Sequence, residues 1–262
     1  MAARAIWKGV IRVGSVRVPI RLYSAVEDRD VHFRLLHEKD ETSVRQEMVN
    51  PRTGKPVPSG EIRKGYEVKR GTFVILTDDE LDGLEPDDSR DVRVARFVDA
   101  DAIGHEWFER PYYVGPDAKG SADYFALAQA LADAGKQGIA RWVMRDREYA
   151  GALRERGPHL VLVTLRHVDE VVAPADLEPP PFRKPTEKEL RLAEQLVGAL
   201  EADFDPGRYR DEYRKRVLDF VRAKAKGRRP RLPRPSRRAK PTSLLGALEA
   251  SVRGVQKERK RA

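Results

Sequence analysis

Val16, Val18, Ile20 and Leu22 alternate with Arg17, Pro19, Arg21 and Tyr23. This period of two predicts a strand with one buried face. Upstream, Trp7, Ile11 and Val13 share one parity, and Lys8 and Arg12 take the other. Gly14-Ser15, between the two runs, predicts a tight hairpin turn. Pro19 cannot donate a ladder hydrogen bond, so it predicts an edge or a bulge at that point. Short apolar runs at 72–76, 92–98, 112–114, 139–144 and 160–165 predict further strands. With turn signals between them, they predict an antiparallel barrel or sandwich over residues 1 to about 180. Three helices interrupt the pattern. Thr77-Asp78-Asp79-Glu80 is a capping box. Residues 121–134 place Tyr124, Leu127, Ala128 and Leu131 at helical spacing and close at Gly135. Residues 147–155 predict a third helix.

Two segments break the strand pattern. From Glu27 to Arg70 the apolar content is low after Leu36, and Asn50-Pro51-Arg52-Thr53-Gly54-Lys55-Pro56 is rich in turn formers. A polar excursion of this length predicts a disordered loop or an extended arm that serves something outside the barrel. After Glu178-Pro179-Pro180-Pro181 the period becomes helical. Residues 186–203 open with the capping box Thr186/Glu189 and predict a face of Leu190, Ala193, Val197 and Leu200. Residues 211–226 predict a second helix, with Tyr213, Val217, Phe220 and Val221 on one side and Gly227 as C-cap. Residues 227–241, GRRPRLPRPSRRAKP, predict an extended Pro-rich linker. A last short helix, 243 to about 258, carries Leu245, Leu248, Val252 and Val255 on one stripe.

Charge sharpens this division. From Arg222 to Ala262 there are 15 basic and 2 acidic residues, a net of +13. The preceding 221 residues hold 36 basic and 40 acidic, a net of −4. A one-sign block on a mildly acidic body predicts an arm that binds a polyanion. The chain has no cysteine, which removes disulfides and thiolate metal sites. No run approaches the roughly 20 apolar residues that span a bilayer, so a soluble, intracellular protein is expected.

Residues 4–25, RAIWKGVIRVGSVRVPIRLYSA, resemble the opening of the bacterial Ku family. Four further segments resemble the family in the same order along the chain. They are IRKGYEVKRGTFVILTDDEL (62–81), RPYYVGPD (110–117), ARWVMRDREYAGALRERG (140–157) and FDPGRYRDEYRKRVLDFVRAKAKG (204–227). LLGALEASV (244–252) resembles a distal element of some members. The resemblance implies an α+β, β-rich fold. Its parts are a SPOC-like antiparallel β-barrel core at 1–180, an inserted extended β bridge arm at about 27–72, a helical C-terminal arm at 181–227 and a basic tail at 228–262. It implies no enzyme and no cofactor. The function implied is sequence-independent binding of double-stranded DNA ends by a ring-shaped homodimer. Such a ring protects and bridges double-strand breaks and recruits the ATP-dependent ligase D in non-homologous end joining. The location implied is cytoplasmic and nucleoid-associated.

Under this resemblance the arm's Lys39, Arg45, Arg52, Lys55, Arg63, Lys64, Lys69 and Arg70 are candidate phosphate contacts. A protein that accepts any end gains affinity from phosphates rather than bases. Arg228, Arg229, Arg231, Arg234, Arg237, Arg238 and Lys240 of the tail are candidates on charge alone. Tyr213, Val217, Phe220, Leu245, Leu248 and Val252 are candidate partner-binding residues. Many family members carry Cys-x-x-Cys at the positions of Asn50 and Thr53, so no metal is expected here, and Pro51 and Gly54 are expected to hold the turn. A nucleoid-type coating protein that binds mainly through its tail is the alternative. A metal-dependent nuclease built on Asp78-Asp79-Glu80, Asp87-Asp88 or Asp99/Asp101 is disfavoured. Carboxylates in a helix's first turn favour its dipole, and the histidines show no ligand spacing.

Overall fold

The computed structural model describes residues 4–117, 121–177, 183–228 and 244–259. It divides into two units, 1–29 with 33–174 and 30–32 with 175–262.

The first unit opens with β1 (Trp7–Val13) and β2 (Val16–Ser24). They pair antiparallel with Ile11 opposite Val18 and Gly9 opposite Ile20. The predicted parity holds at Ile11, Val18, Ile20 and Leu22, which are all buried, whereas Val16 beside the turn is exposed. Gly14 turns the hairpin at φ +57°, a conformation that a Cβ disfavours. Pro19 lies at the end of the β2–β6 ladder, where its carbonyl accepts from the Asp117 amide at 3.1 Å just past β6. It faces Val10 of β1, and pairing on the other side begins only at Ile20.

The strands β5 (Asp91–Asp99), β6 (Phe108–Pro116), β7 (Lys136–Val143), β8 (Glu148–Arg156) and β9 (His159–Leu165) complete a closed barrel in the order β1-β2-β6-β9-β8-β7-β5. One contact departs from the antiparallel expectation, because β1 and β5 run parallel. Parallel neighbours need a long crossover, and the chain between β2 and β5 supplies it. The helix predicted at 147–155 is also replaced, because those residues form β8. Their Ala, Leu, Arg and Glu favour helix as isolated residues. The site between β7 and β9 buries Gly151, Ala152 and Leu153, and sheet packing outweighs the local preference.

Helix α1 (Asp78–Asp82) has the predicted capping box at Thr77 and Glu80. Helix α2 (Ser121–Ala134) buries Tyr124, Ala128 and Leu131 against the barrel. The Tyr124 hydroxyl donates to the Val114 carbonyl at 2.5 Å and accepts from the Leu160 amide at 2.8 Å. Val114 and Leu160 are partners at the last rung of the β6–β9 ladder. The tyrosine therefore satisfies backbone groups where the ladder ends.

The second unit holds α3 (Glu187–Leu200), α4 (Glu212–Ala225) and α5 (Leu244–Arg259). Thr186 and Glu189 cap α3 reciprocally. Helix α5 packs along α3, with Lys188 paired to Glu249 at 3.2 Å and Val252 buried. The face of α3 differs from expectation. Leu192, Ala193 and Leu196 are partly buried, whereas Leu190, Val197 and Leu200 are exposed. Its apolar surface is wider than one stripe, and the sequence alone did not say which edge is covered. No residue of α4 is buried.

Candidate nucleic-acid interface

The segment between β2 and β5 is an arm built largely without regular structure. Two isolated bridges shape its first half, Leu36 with Ser43 and Val49 with Pro56. Asp40 organises the first turn. Its carboxylate accepts from the Thr42 amide at 3.1 Å and the Thr42 hydroxyl at 2.8 Å, and it pairs with His37 Nδ1 at 2.8 Å. Together these, with the Thr42 amide foremost, hold its carboxyl below the usual range.

The second turn differs in part from expectation. Gly54 takes φ +67° as required. The hydrogen bonds, however, centre on Asn50. Its carbonyl accepts from the Gly54 amide at 2.8 Å and its amide donates to the Lys55 carbonyl at 2.9 Å, while its side chain accepts from the Arg52 amide at 2.9 Å. The Thr53 hydroxyl accepts weakly from the Lys55 amide at 3.4 Å. Asn50, more than the expected Pro51, thus holds the turn by polar contacts, with Thr53 adding a weak one. Among the described residues, no cluster of His, Cys, Asp and Glu could hold a metal ion.

The arm ends in a ribbon, β3 (Lys64–Lys69) paired with β4 (Thr72–Leu76), which forms a sheet of its own. The ribbon extends past the expected arm boundary at 72. Every residue of β3 and all of β4 except Leu76 are exposed. The register sets Tyr66 opposite Val74 and Glu67 opposite Phe73. Tyr66 and Val74 therefore lie on one face, Phe73 and Ile75 on the other, and Val68 sits at an irregularity between Glu67 and Lys69. Phe33, Leu35 and Met48 elsewhere in the arm are also exposed, Met48 by 71%. The arm is thus amphipathic rather than polar, a feature hidden in the sequence because its apolar residues are spread between charges.

All the candidate arm cations are exposed, but they are not equivalent. Arg63 donates to the carbonyls of Gly60 at 2.7 Å and Ile62 at 3.0 Å. Lys64 pairs with Asp78 at 3.1 Å. Arg45, Arg52, Lys55, Lys69 and Arg70 make no ion pair among the described residues and point free charge at solvent. Of the tail candidates, Arg228 is described and exposed. Arg229, Arg231, Arg234, Arg237, Arg238 and Lys240 lie outside the described residues. Of the partner candidates, Tyr213 is exposed, Val217, Phe220 and Leu248 are half-buried, and Val252 is buried. The side chain of Leu245 lies outside the described part of the structure.

Three of the carboxylates weighed for catalysis have structural partners. Glu80 accepts from the Thr77 amide at 2.8 Å and hydroxyl at 2.9 Å, which lowers its pKa. Asp78 is the partner of Lys64. Asp99 pairs with Lys136 across β5 and β7. No helix among the described residues is long and apolar enough to cross a membrane.

Comparison with known proteins adds to this geometry. The Ku70/Ku80 beta-barrel domain matches residues 12–192. The chain is 37% identical over 257 residues to the non-homologous end joining protein Ku of Anaeromyxobacter sp. (strain K), covering 97% of this chain and 87% of that protein. It is 37% identical over 258 residues to non-homologous end joining protein Ku 2 of Geotalea uraniireducens, covering 97% and 100%. It is 33% identical over 254 residues to the non-homologous end joining protein Ku of Archaeoglobus fulgidus, covering 97% and 100%. A solved structure, the SPOC domain of human PHD-finger protein 3, aligns at a TM-score of 0.29 and 12% identity, covering 62% of this chain and 95% of that one.

Proposed function

The chain belongs to the Ku family, and from that premise we propose that it binds the ends of double-stranded DNA without reading sequence. Two copies join through their arms into a ring that threads onto the broken end. The ring protects and bridges ends in non-homologous end joining and recruits the ATP-dependent ligase D. The protein acts by binding, not by catalysis.

One observation carries this reading, the arm with its uncovered ribbon. A two-stranded ribbon is marginal alone in water, and this one is apolar on both faces. Surface of this kind marks an interface, and a second copy of the same arm is the self-complementary cover that a two-fold dimer provides. The free cations Arg45, Arg52, Lys55, Lys69 and Arg70 alternate with that apolar surface along the same segment. Joining the arms then closes a basic aperture whose lining contacts phosphates and leaves the bases unread. Tyr213, Val217 and Phe220 of α4 give a second apolar strip for a protein partner, and the tail adds basic charge.

Topology tests the ring. Binding is measured to a linear duplex and to a covalently closed circle of the same sequence at matched salt. The ring predicts strong preference for the linear form. Equal affinity for both forms refutes it and favours a coating protein that binds through its tail.

A further inference from the structure

Four arginines of the barrel stand side by side across four adjacent strands. Arg17 of β2 faces Arg12 of β1. Arg12 lies beside Arg93 of β5, and Arg93 faces Arg141 of β7. All four have outward parity, because the buried residues next to them in sequence are Ile11, Val18, Val92, Val94, Ala140 and Trp142. Neighbouring strands lie about 4.8 Å apart, so the row runs about 14 Å across the barrel wall.

The fold does not favour such a row. Like charges directly opposite across strands are destabilising, and here three such pairs adjoin. Carboxylates answer only part of it. Asp91 pairs with Arg12 at 2.8 Å, and Glu148 approaches Arg141 at 3.9 Å. Asp87 joins these two acids around a hollow of about 230 Å³ that Arg93 and Arg141 also line. Arg17 and Arg93 are exposed and make no ion pair among the described residues. The row stands at the turn end of the β1–β2 hairpin. The chain leaves the barrel for the arm after Ser24, roughly 23 Å further along β2 at the rise of an extended strand, and returns from it at Asp91, beside the row.

We propose that this arginine row is a phosphate track, a second contact for the backbone of nucleic acid that takes no notice of ends. All four cations are arginine, whose planar fork matches phosphate oxygens in pairs where lysine offers a point charge. They are held on strands at regular intervals, which suits an evenly charged polymer. Duplex DNA presents about eight phosphates along 14 Å of axis, so each guanidinium finds an anion whatever the sequence. The track lets the protein rest on duplex away from a break, and it does not depend on ring closure.

The test uses the full-length chain and the double variant R17E/R93E. Both substitutions place a carboxylate opposite Arg12, and the one at 93 also opposite Arg141, so the melting temperature is expected to hold or rise. R17Q/R93Q, which creates no new charge, is the second variant. Affinity is measured for a linear duplex and a covalently closed circle over a range of salt. The expected result with R17E/R93E is a loss on both probes on the order of 50-fold at about 0.1 M salt, with a log–log salt slope shallower by about 1.8, the value for two phosphates released. The ratio of linear to circular affinity stays as in the unaltered protein. Unchanged affinity and slope on both probes, with the fold intact, overturn the proposal, including the case in which an acidic protein is the true ligand. A loss confined to linear DNA also overturns it, since the arginines would then belong to the end-binding aperture. Absence of end preference in the unaltered protein refutes the ring and leaves the track standing.

Discussion

Reversing the free charges of the arm tests the proposed aperture most directly. Arg45, Arg52, Lys55 and Arg70 are the residues to change to Glu. All are exposed, and none makes an ion pair among the described residues. Arg63 and Lys64 are left alone, because they are tied to the carbonyls of Gly60 and Ile62 and to Asp78, and changing them disturbs the ribbon's root. The fold and the arm–arm contact are therefore expected to survive. Each phosphate contact accounts for about 0.9 of the log–log salt slope on B-DNA, so releasing four phosphates makes the slope shallower by about 3.6. At about 0.1 M salt this is a loss on the order of 10³-fold in affinity. The assay is fluorescence anisotropy of an end-labelled linear duplex from about 0.05 to 0.3 M salt, a range over which the slope is well determined. Sedimentation in parallel reports the dimer. An unchanged slope with an intact dimer shows that these residues do not touch phosphate. A lost dimer shows that they belong to the arm–arm contact instead, and it refutes the division of the arm into apolar interface and basic lining.

Three further outcomes follow from the packing. Tyr124→Phe leaves the Val114 carbonyl and the Leu160 amide without their partner in a buried site, and is expected to lower stability by about 2–4 kcal/mol. A chemical-denaturation difference below about 1 kcal/mol refutes that role. Glu189 accepts from the Thr186 amide and from Arg183, which lowers its pKa from 4.5 to about 2. A depressed folded value means that the stabilisation is full above about pH 4.5 and is lost as pH falls through about 2. Helical circular dichroism should decline in that window, and Glu189→Gln should lessen the decline, leaving the part due to the like cap at Glu80. Truncation after Gly227 should leave the barrel's melting unchanged, weaken salt-sensitive DNA affinity and raise the binding of an apolar dye, because it uncovers the side of α3 that α5 covers. Unchanged dye binding counts against the α3–α5 contact.

Much of the barrel was legible because period two survives wherever one strand face is buried. Val18, Ile20 and Leu22 announce β2, and Tyr124, Ala128 and Leu131 announce α2, with no tertiary information. Strand β8 was not legible, because Ala150, Ala152 and Leu153 follow helix chemistry and become a strand only between two neighbours. The parallel closure of β1 on β5 was hidden for a related reason, since pairing partners separated by the whole arm leave no local trace. In the arm the basic residues were legible as charges, but the division into free and tied cations depends on carbonyls that only the folded turn brings to Arg63. Its two apolar faces were missed because only the ribbon's register sets Tyr66 beside Val74 and turns Phe73 and Ile75 to the opposite side. The row of Arg12, Arg17, Arg93 and Arg141 belongs to the same class, since the sequence scatters those residues and pairing aligns them.

The insertion of the arm between β2 and β5 has a consequence for how such a molecule can vary. Residues 25–90 leave the barrel at Ser24 and return at Asp91. To the barrel, this span is a loop whose closure entropy grows only with the logarithm of its length, about 0.6 kcal/mol for each doubling. Residues can therefore be added to or taken from the span at little thermodynamic penalty to the strands that anchor it. The width of the proposed aperture is in this sense a free parameter, adjustable by insertion and deletion while the anchoring fold stays as it is.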